Sequence, residues 1–319
     1  MKVSLLIPVY GVERYIARCA ESLFGQTYDD LEFIFVDDCT PDGSIAVLED
    51  VLQRFPQRRG QVRIIRHEKN KGLGAARATA LEAATGDCVM HVDSDDYMPE
   101  NAVEALCRKM NETGADVVDG AYARTFDGKA VSTHLPYHGT TEAYVCLLLC
   151  QNVFSNRVWG RLYRRSVYDK GVRHVPGIDY GEDYGVVPLL LYKCKRAWTD
   201  DVVYCYRTDN ITSYTHVLSE KNNMSYLRAN AEVYRFIKEK DSGEGHYAEA
   251  LEYGMLNMLR HARKNNIAAG VVNDVCGYRP TGFLPTMCAM LLRSRCPYWL
   301  ADAVYRACRN MFVRRASAF

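Results

Sequence analysis

Four short apolar runs alternate with helical patterns over the first 93 residues, and this alternation limits the fold more than any other feature. Each run is too short for a buried helix, which is typical of strands covered on both faces. The runs are Val3 to Val9, Leu31 to Val36, Val62 to Arg66 and Cys88 to Asp93. The helical patterns between them are Val12 to Leu23, Ile45 to Phe55 and a segment that opens at residues 70–74 and runs to about Ala84. The alternation predicts an α/β fold around a mostly parallel, doubly wound sheet flanked by helices.

The composition is that of an ordinary globular protein. The chain of 319 residues is 48% hydrophobic and 25% charged, and its net charge of +1 gives no reason to expect a nucleic acid partner. The 12 cysteines form no Cys-x-x-Cys pair and no zinc-type spacing, which predicts free thiols and a cytoplasmic location. Residues 1–9 are too short for a signal peptide, and no apolar run reaches about 18 residues, so we expect no membrane-spanning helix.

Beyond residue 100 the pattern becomes less regular and then purely helical. We expect strands at Ala115 to Asp119 and Val202 to Tyr206, a hairpin around Gly128, and helices at Glu142 to Cys150 and Glu182 to Tyr192. Four helical stretches follow, at Asn223 to Lys240, His246 to Lys264, Pro285 to Arg293 and Pro297 to Arg315. This change predicts a boundary near residue 216, with one domain at 1–216 and a helical C-terminal region at 217–319.

Three carboxylates follow the fourth strand within four residues, at Asp93, Asp95 and Asp96. Strand ends in an open α/β sheet are where ligands bind. Clustered carboxylates repel one another unless a positive group lies between them. A hard divalent cation that arrives with a substrate phosphate, Mg²⁺ or Mn²⁺, suits such oxygen ligands. The alternative is an acidic turn that only caps a helix beginning near Pro99.

Two other strand ends carry polar side chains. Asp37 and Asp38 follow the second strand, either as turn caps or as ligand contacts. Residues 70–77 (NKGLGAAR) follow the third strand and so are not a dinucleotide-binding fingerprint, which follows the first. They predict a helix N-terminus with Arg77 one turn in. There the guanidinium suits an anion or a base edge; otherwise it is an exposed helical arginine.

Six segments, taken in this order, resemble the family 2 glycosyltransferases, which have the GT-A fold. They are residues 7–10 (IPVY), 36–38 (VDD), 70–77 (NKGLGAAR), 93–96 (DSDD), 159–163 (WGRLY) and 181–183 (GED). The resemblance covers about residues 1–215 and depends on the combination. It implies a GT-A-like, Rossmann-like catalytic domain at 1–216 that transfers a sugar from a nucleotide-sugar donor with inversion at the anomeric carbon.

The resemblance also implies roles for side chains at the strand ends. Asp38 would contact the uracil or ribose of a UDP-sugar, and Arg77 would lie against the nucleotide. Asp95, together with Asp93, would coordinate a Mg²⁺ or Mn²⁺ ion that bridges the diphosphate, with Asp96 behind them. The whole implied donor-binding set is Pro8, Tyr10, Asp38, Arg77, Asp93, Ser94 and Arg207.

A general base is implied at the start of a predicted helix. Asp183 would take the proton of the acceptor hydroxyl, with Glu182 as the alternate residue. Acidic residues at a helix N-terminus also stabilise the helix through its macrodipole, without any catalytic role. The sequence leaves both interpretations open.

The remaining segments of the resemblance concern the acceptor and the diphosphate. Trp159 would pack beside the acceptor sugar, although Trp159 and Tyr163 also suit a hydrophobic core. The role of Arg161 stays open. Ser213 lies in a segment that would cover the diphosphate, and His216 suits either a phosphate or metal contact or a structural role.

Arginines alternate with aromatic and aliphatic residues in the C-terminal region. The arginines are Arg293, Arg295, Arg306, Arg309, Arg314 and Arg315, and the apolar residues near them include Leu291, Leu292, Tyr298, Trp299, Leu300 and Phe312. This mixture is typical of a membrane-surface segment and equally of a solvated face over a small core. Peripheral association with the inner membrane face is one of these two expectations.

The expected function is transfer of a sugar to a hydroxyl of a saccharide or lipid-linked oligosaccharide in surface polysaccharide synthesis. Two rivals are a sugar-nucleotide nucleotidyltransferase and a non-catalytic sugar-nucleotide-binding assembly partner. A nucleotidyltransferase carries a Gly- and Arg-rich loop after the first strand, where this chain has residues 10–13 (YGVE). A non-catalytic binder would lack the metal motif or the base, and this chain has candidates for both.

Overall fold

A computed structural model describes residues 1–151, 156–210, 219–241, 243, 245–294 and 296–316. The chain forms two compact units. The first takes Met1–His138, Val158–Asp179 and Cys194–His216, and the second takes Gly139–Arg157, Tyr180–Lys193 and Val217–Phe319. The division into domains at residue 216 stays a prediction.

The described residues of the first unit form one mixed sheet of eight strands. The strands are β1 (Val3–Val9), β2 (Leu31–Asp37), β3 (Val62–Arg66), β4 (Cys88–His91), β5 (Val117–Phe126), β6 (Lys129–His134), β7 (Arg161–Arg164) and β8 (Arg196–Arg207). Their order is β3-β2-β1-β4-β7-β5-β6, with β8 paired to β5. The pairs β2-β3, β1-β2, β1-β4 and β5-β8 are parallel, whereas β4-β7, β5-β7 and β5-β6 are antiparallel. The predicted α/β sheet is therefore confirmed, and its first four strands are parallel.

In the described part of the first unit, four α-helices connect the strands. They are α1 (Ile16–Phe24), α2 (Ser44–Gln53), α3 (Leu73–Ala83) and α4 (Ala102–Thr113). All seven residues of β1 and of β2 are buried, as their continuous apolar runs predict. The buried face of α1 completes this core, where Phe24 meets Phe33 edge to face with ring centroids 5.2 Å apart.

The short strand β7 is absent from the sequence prediction because half of its residues are charged. Arg161 is nevertheless fully buried, since Asp119 of β5 lies opposite it. Arg161 Nε donates to Asp119 Oδ1 at 2.5 Å, and Arg196 Nη1 donates to Asp119 Oδ2 at 2.9 Å. The buried carboxylate is thus held by two guanidinium groups, which offsets the loss of hydration. This network gives Arg161 a place in the core of the sheet.

The described residues of the second unit form helices. These are α5 (Thr141–Leu149), α6 (Glu182–Leu191), α7 (Glu220–Lys240), α8 (Tyr247–Lys264), α9 (Ala269–Cys276), α10 (Phe283–Arg293) and α11 (Tyr298–Ala316). The predicted helices are confirmed, and α9 is additional. α7 begins three residues earlier than predicted because Ser219 caps it, accepting from the Asn222 amide at 3.1 Å. Within the described residues, every helix is too short or too polar to cross a bilayer.

Candidate active site

Three strand ends meet at one edge of the sheet in the first unit. β1 lies between β2 and β4 and runs parallel to both. The chain therefore continues from β1 to a strand on one side and later returns to a strand on the other side. Open α/β sheets bind ligands at such a switch point. Tyr10 follows β1 and is exposed, whereas Pro8 is buried within β1 opposite Val36. Asp38 follows β2, and Asp93 follows β4.

Asp38 is buried and anchors the loop that precedes α3. Its Oδ1 accepts from the Lys71 amide and its Oδ2 from the Gly72 amide, both at 2.8 Å. Its Oδ1 also lies 2.6 Å from His67 Nδ1, and the other ring nitrogen of His67 lies 3.0 Å from Thr79 Oγ1. A carboxylate has about four acceptor positions, so three of them are used within the protein.

The two glycines of the 70–77 segment permit a close approach of residues 175–179. Gly72 has φ +90°, and a Cβ there would lie 2.3 Å from Asp179 Oδ1. A Cβ on Gly74 would lie 2.6 Å from the Ile178 carbonyl oxygen. The Gly74 amide at the start of α3 donates to Asp179 Oδ1 at 3.3 Å. A carboxylate of the protein therefore already lies at this helix N-terminus.

Arg77 connects α3 with the acidic segment after β4. Its guanidinium is buried, and Nη2 donates to Asp93 Oδ1 at 2.8 Å. The Asp93 side chain is 24% exposed, so one side of this carboxylate remains open to solvent. The Asp93 amide donates to the Tyr204 hydroxyl of β8 at 3.0 Å. Hydrogen bonds therefore hold both the side chain and the main chain of Asp93 in place.

Asp95 and Asp96 are held by residues at the end of β8. Asn210 Nδ2 donates to Asp95 Oδ2 at 2.7 Å, and Arg207 Nε donates to the Asp95 carbonyl oxygen at 3.0 Å. The Arg207 amide donates to Asp96 Oδ1 at 2.7 Å. Asp96 Oδ2 is buried and has no hydrogen-bond partner within the described part of the chain. Ser94, which precedes Asp95 in the sequence, is also buried.

Two aromatic rings position the Arg207 side chain. Its guanidinium carbon lies 5.0 Å from the centroid of the Tyr15 ring and 6.0 Å from that of Tyr97. These distances are those of cation–π contacts, which leave the N–H groups in the guanidinium plane available to acceptors. Arg207 therefore brings fixed positive charge to the three carboxylates.

The charge of the three carboxylates perturbs the groups around them. Burial and the Asp93 carboxylate raise the pKa of Asp95 above its usual value. Burial and the charges of Asp95 and Asp93 raise the pKa of Asp96 well above its usual range. Burial and the same carboxylates also raise the pKa of Cys19 and of Tyr204. A bound cation would relieve this excess of negative charge.

The donor atoms present fit a hard divalent cation. They are carboxylate oxygens in a strongly negative environment, and one of them, Oδ2 of Asp96, is buried and has no hydrogen-bond partner among the described residues. No group of three or more His, Cys, Asp or Glu side chains that could hold a metal ion occurs among the described residues. Mg²⁺ is commonly held by one or two carboxylates plus substrate phosphates, and Asp95 with Asp93 matches that arrangement.

Trp159 belongs to an aromatic cluster rather than to an exposed face. It is 7% exposed and stacks on Tyr204 and Tyr206, with centroid distances of 4.4 Å and 5.4 Å. Tyr122 meets the Trp159 ring edge to face at 5.0 Å. Tyr163 is fully buried, as the core interpretation predicts. Within this cluster, Tyr122 and Tyr206 are only partly buried.

Glu182 and Asp183 form the first turn of α6 in the second unit. Gly181 precedes them with φ +81°, and the Asp183 amide donates to Glu182 Oε2 at 2.9 Å. Glu182 is buried, and Asp183 is half-buried. The position of both acids in the first turn agrees with the macrodipole interpretation and leaves the base interpretation open.

The predictions for Ser213 and His216 lie outside the described residues. Residues that contribute to the site and were missed in the sequence include His67, Asp179, Tyr204 and Asn210. His67 follows β3 at the same sheet edge as Asp38, so the strand-end rule would have found it. Asp179, Tyr204 and Asn210 reach the site through contacts of more than 100 residues in sequence separation, for which the sequence holds no local signal.

The part of the chain that carries this site matches a known protein family. The sequence model described as glycosyl transferase family 2 matches residues 4–172, which is more than half of the chain. The chain belongs to glycosyl transferase family 2. The matched segment spans β1 from its second residue to β7, and with these strands Asp38, Arg77 and the acidic cluster.

Relatives among curated proteins agree with membership of family 2. The uncharacterized glycosyltransferase EpsJ of Bacillus subtilis (strain 168) is 30% identical over 223 residues, which are 67% of this chain and 63% of EpsJ. A second protein of the same organism, EpsH, is 33% identical over 171 residues, which are 52% of this chain and 48% of EpsH. The chain thus spans about half to two thirds of the length of these relatives.

Two solved structures share the fold of this family 2 chain. S. aureus TarS 1-349 in complex with UDP superposes with a TM-score of 0.67 at 17% identity, covering 98% of this chain and 92% of TarS. The mannosyltransferase PcManGT of Pyrobaculum calidifontis, in complex with GDP-Man and Mn²⁺, gives a TM-score of 0.51 at 15% identity over 95% of this chain and 86% of PcManGT. At these identities the likeness concerns the fold alone, and it confirms the predicted GT-A-like fold with a helical C-terminal region.

Proposed function

We propose that the protein transfers a sugar from a UDP-sugar to a hydroxyl of a saccharide or lipid-linked oligosaccharide acceptor in surface polysaccharide synthesis. The observation that carries the proposal is the acidic cluster after β4, held between Arg77 and Arg207 at the switch point of the sheet. A site for a nucleoside diphosphate needs fixed cations for the phosphates and an oxygen-lined place for a metal ion. Family 2 membership supports the same chemistry.

The nucleotide would lie along the ends of β1, β2 and β4. Tyr10 is exposed and offers a ring for stacking, while Asp38 keeps about one acceptor position for an N–H or O–H of the nucleotide. Arg77 and Ser94 would border the same region, and Pro8 of β1 would lie beneath it. UDP is the nucleotide named with TarS, and GDP-Man is the one named with PcManGT. A comparison of binding to several nucleotides therefore tests the proposal that the donor is a UDP-sugar.

Asp95 and Asp93 would hold Mg²⁺ or Mn²⁺. When bound, such an ion neutralises charge that develops on the departing diphosphate. Asn210 holds one oxygen of Asp95, and Arg77 holds one oxygen of Asp93, so each carboxylate is oriented by a hydrogen bond. PcManGT is named with Mn²⁺, which supports this part of the proposal.

Asp183 would take the proton from the acceptor hydroxyl as it attacks the anomeric carbon, with Glu182 as the alternate base. This role comes from the family resemblance, as does inversion by a single displacement. The carboxylate of Asp183 is half-buried, and partial burial can tune a carboxylate towards a base that works near neutral pH. Trp159 would support the acceptor region from within the aromatic cluster, because it is mostly buried and stacks on Tyr204 and Tyr206.

The location proposed for this reaction is the cytoplasm, with peripheral association at the inner membrane face. All 12 cysteines lie among the described residues and none of them forms a disulfide, which suits a compartment that keeps thiols reduced. A lipid-linked acceptor would be available at that membrane surface.

Release of nucleoside diphosphate from a panel of nucleotide sugars tests the proposal. We expect slow hydrolysis of UDP-sugars with Mn²⁺ or Mg²⁺, and loss of most of this activity in Arg207→Gln. Arg124→Gln, an exposed arginine of β5, is the matched control and should keep it. No hydrolysis of any nucleotide sugar by the wild type, or equal loss in both variants, would contradict the proposal.

A further inference from the structure

Large apolar side chains are exposed on the last two helices of the second unit. On α10, Phe283 is 81% exposed and Met290 is 62% exposed. On α11, Trp299 is 70% exposed, Met311 is 56% exposed and Leu300 is 39% exposed. A single exposed apolar residue is ordinary, but five of them on two consecutive helices that pack against each other need an explanation.

The exposed residues of α11 form one face of the helix. Its buried face consists of Ala301, Tyr305, Cys308 and Phe312, which are spaced by three or four residues. The exposed face carries Trp299, Leu300 and Met311 together with Arg306 and Arg314, and it lies opposite. We refer to these five residues, together with Phe283 and Met290, as the α10–α11 surface. The helix is therefore apolar on both faces, and only one face is covered by the described protein.

Positive charge is concentrated in the same part of the chain. From residue 275 to the end, the sequence contains seven arginines, no lysine and a single acidic residue, although the net charge of the whole chain is +1. The acidic residue, Asp302, is mostly buried and pairs with Arg260 at 3.1 Å and with Arg306 at 2.7 Å. Arg314 is exposed and makes no ion pair within the described residues. The α10–α11 surface is thus apolar and positively charged, and the one acidic residue in this part of the sequence is paired with arginines.

We propose that the α10–α11 surface binds an anionic lipid bilayer. Tryptophan and arginine side chains favour the interface between headgroups and acyl chains, where an apolar body and a polar or charged group are both accommodated. A second copy of this surface is a poor partner, because it would bring the arginines of two chains together. Anionic headgroups complement the arginines, and the acyl region accepts the phenylalanine, tryptophan and methionine side chains. This inference rests on the peripheral membrane association proposed above and assigns it to a surface that contains none of the residues proposed for sugar transfer.

Sedimentation of the full chain with vesicles tests the proposal. We expect binding to vesicles of equal parts phosphatidylcholine and phosphatidylglycerol, little binding to phosphatidylcholine alone, and release as salt rises. Arg314→Gln should weaken partitioning about fivefold, the usual effect of one basic residue near an anionic surface. The double variant Phe283→Ser with Trp299→Ser should weaken it at least about tenfold.

Matched controls distinguish binding through this surface from nonspecific adsorption to vesicles. Arg235→Gln removes an exposed arginine of α7, and Phe126→Ser with Val131→Ser removes two exposed apolar residues of the first unit. Both controls and both variants should melt like the wild type, and all four should bind UDP as the wild type does. In vesicles that contain brominated lipids, wild-type fluorescence should be quenched, and Trp299→Phe should remove most of the quenching, because Trp159 is buried and Trp198 is half-buried.

Several outcomes would overturn the proposal. A wild-type protein that stays in the supernatant at low salt would do so, as would salt-independent binding to phosphatidylcholine. Variants that sediment like their controls would show that other residues bind the lipid. A concentration-dependent dimer that Trp299→Ser abolishes would assign the surface to a second copy instead. UDP binding measured on the same samples separates these results from a failure of the proposed sugar transfer.

Discussion

Arg77 and Asp93 form a mostly buried pair that ties α3 to the segment after β4, with Nη2 of Arg77 2.8 Å from Oδ1 of Asp93. The arginine is 16 residues before the aspartate in sequence, and the strand β4 lies between them. The pair orients a carboxylate that the proposed metal site needs, and it offsets the burial of a guanidinium group.

Replacement of Arg77 should therefore reduce stability more than an ordinary surface mutation. Arg77→Met leaves Asp93 without its partner, and we expect a loss of about 2–3 kcal/mol in the free energy of unfolding. The control Arg54→Met removes an exposed arginine that pairs with Glu21, which usually costs about 0–1 kcal/mol. Urea unfolding measures both. A loss for Arg77→Met no larger than that for Arg54→Met would show that the pair contributes little.

The contacts of Asp38 predict two separable effects on nucleotide binding. If the remaining acceptor position of Asp38 reads the base, the wild type should bind UDP about tenfold or more tightly than GDP or ADP, and Asp38→Asn should lose this preference. His67→Gln disturbs only the support of Asp38 and should weaken all three nucleotides alike. Calorimetric titration of the three nucleotides distinguishes the effects. Equal affinities for all three in the wild type would leave Asp38 as an anchor of the 70–74 loop.

Glu32 of β2 predicts a pH dependence of stability. Burial alone would raise the pKa of Glu32, but hydrogen bonds from Lys2, Ser4 and Thr85 together outweigh it and lower the pKa from 4.5 to about 2. Because the folded-state pKa is below the ordinary value, the carboxylate stabilises the fold above pH 4.5, and this contribution is lost as the pH falls towards 2. We expect Glu32→Gln to cost about 2 kcal/mol near neutral pH, after allowance for the partly exposed Lys2.

Urea unfolding at several pH values tests the role of Glu32. The difference in stability between the wild type and Glu32→Gln should shrink steadily as the pH drops below 4.5. Glu49→Gln, in an exposed pair with Arg66, is the control and should show a small difference at every pH. A Glu32→Gln difference that stays constant with pH would contradict the depressed pKa.

The first 93 residues were predictable because local pattern and final structure agree there. The third strand, Val62–Arg66, has the predicted bounds, and α1 begins at Ile16 rather than Val12 because Gly11, with φ +68°, and the turn after it precede the helix. The strand-end rule correctly places Asp38 and Asp93 at one edge of the sheet.

The features that were missed depend on partners far away in the sequence. β7 carries a buried arginine only because Asp119, 42 residues earlier, lies beside it. Asn210 holds Asp95 across 115 residues. Trp159 is the type of aromatic residue on which a sugar ring can stack. It is nevertheless buried and stacks on two tyrosine rings of β8, which no local pattern predicts. Local rules predict which residues end a strand, whereas tertiary packing decides which of them stay accessible.

Substitutions at the start of α6 separate a general base from a helix-stabilising acid. Asp183→Asn keeps the size of the side chain but removes its proton affinity, so UDP binding should be near wild type while sugar transfer falls by roughly 10²–10⁴-fold. The macrodipole interpretation instead predicts a stability loss of about 1 kcal/mol with turnover little changed. Glu220→Gln, at the first turn of α7, is a control for the macrodipole effect alone.

Single-turnover transfer and thermal melts of the same variants give the answer. Normal transfer by Asp183→Asn together with slow transfer by Glu182→Gln would assign the general base to Glu182 instead of Asp183. Normal transfer by both variants would leave the acids of α6 as structural residues and would remove this segment from the proposed mechanism.

Calorimetry of UDP binding with and without Mn²⁺, in the wild type and in Asp95→Asn, tests the central claim most directly. A neutral amide is a far weaker ligand for a hard cation than a carboxylate, whereas Asp30→Asn, an exposed control, leaves the site intact. We predict that Mn²⁺ tightens UDP binding in the wild type and in Asp30→Asn, and that this effect disappears in Asp95→Asn. The same dependence on Mn²⁺ in Asp95→Asn as in the wild type would contradict the assignment of the acidic cluster as the metal and diphosphate site.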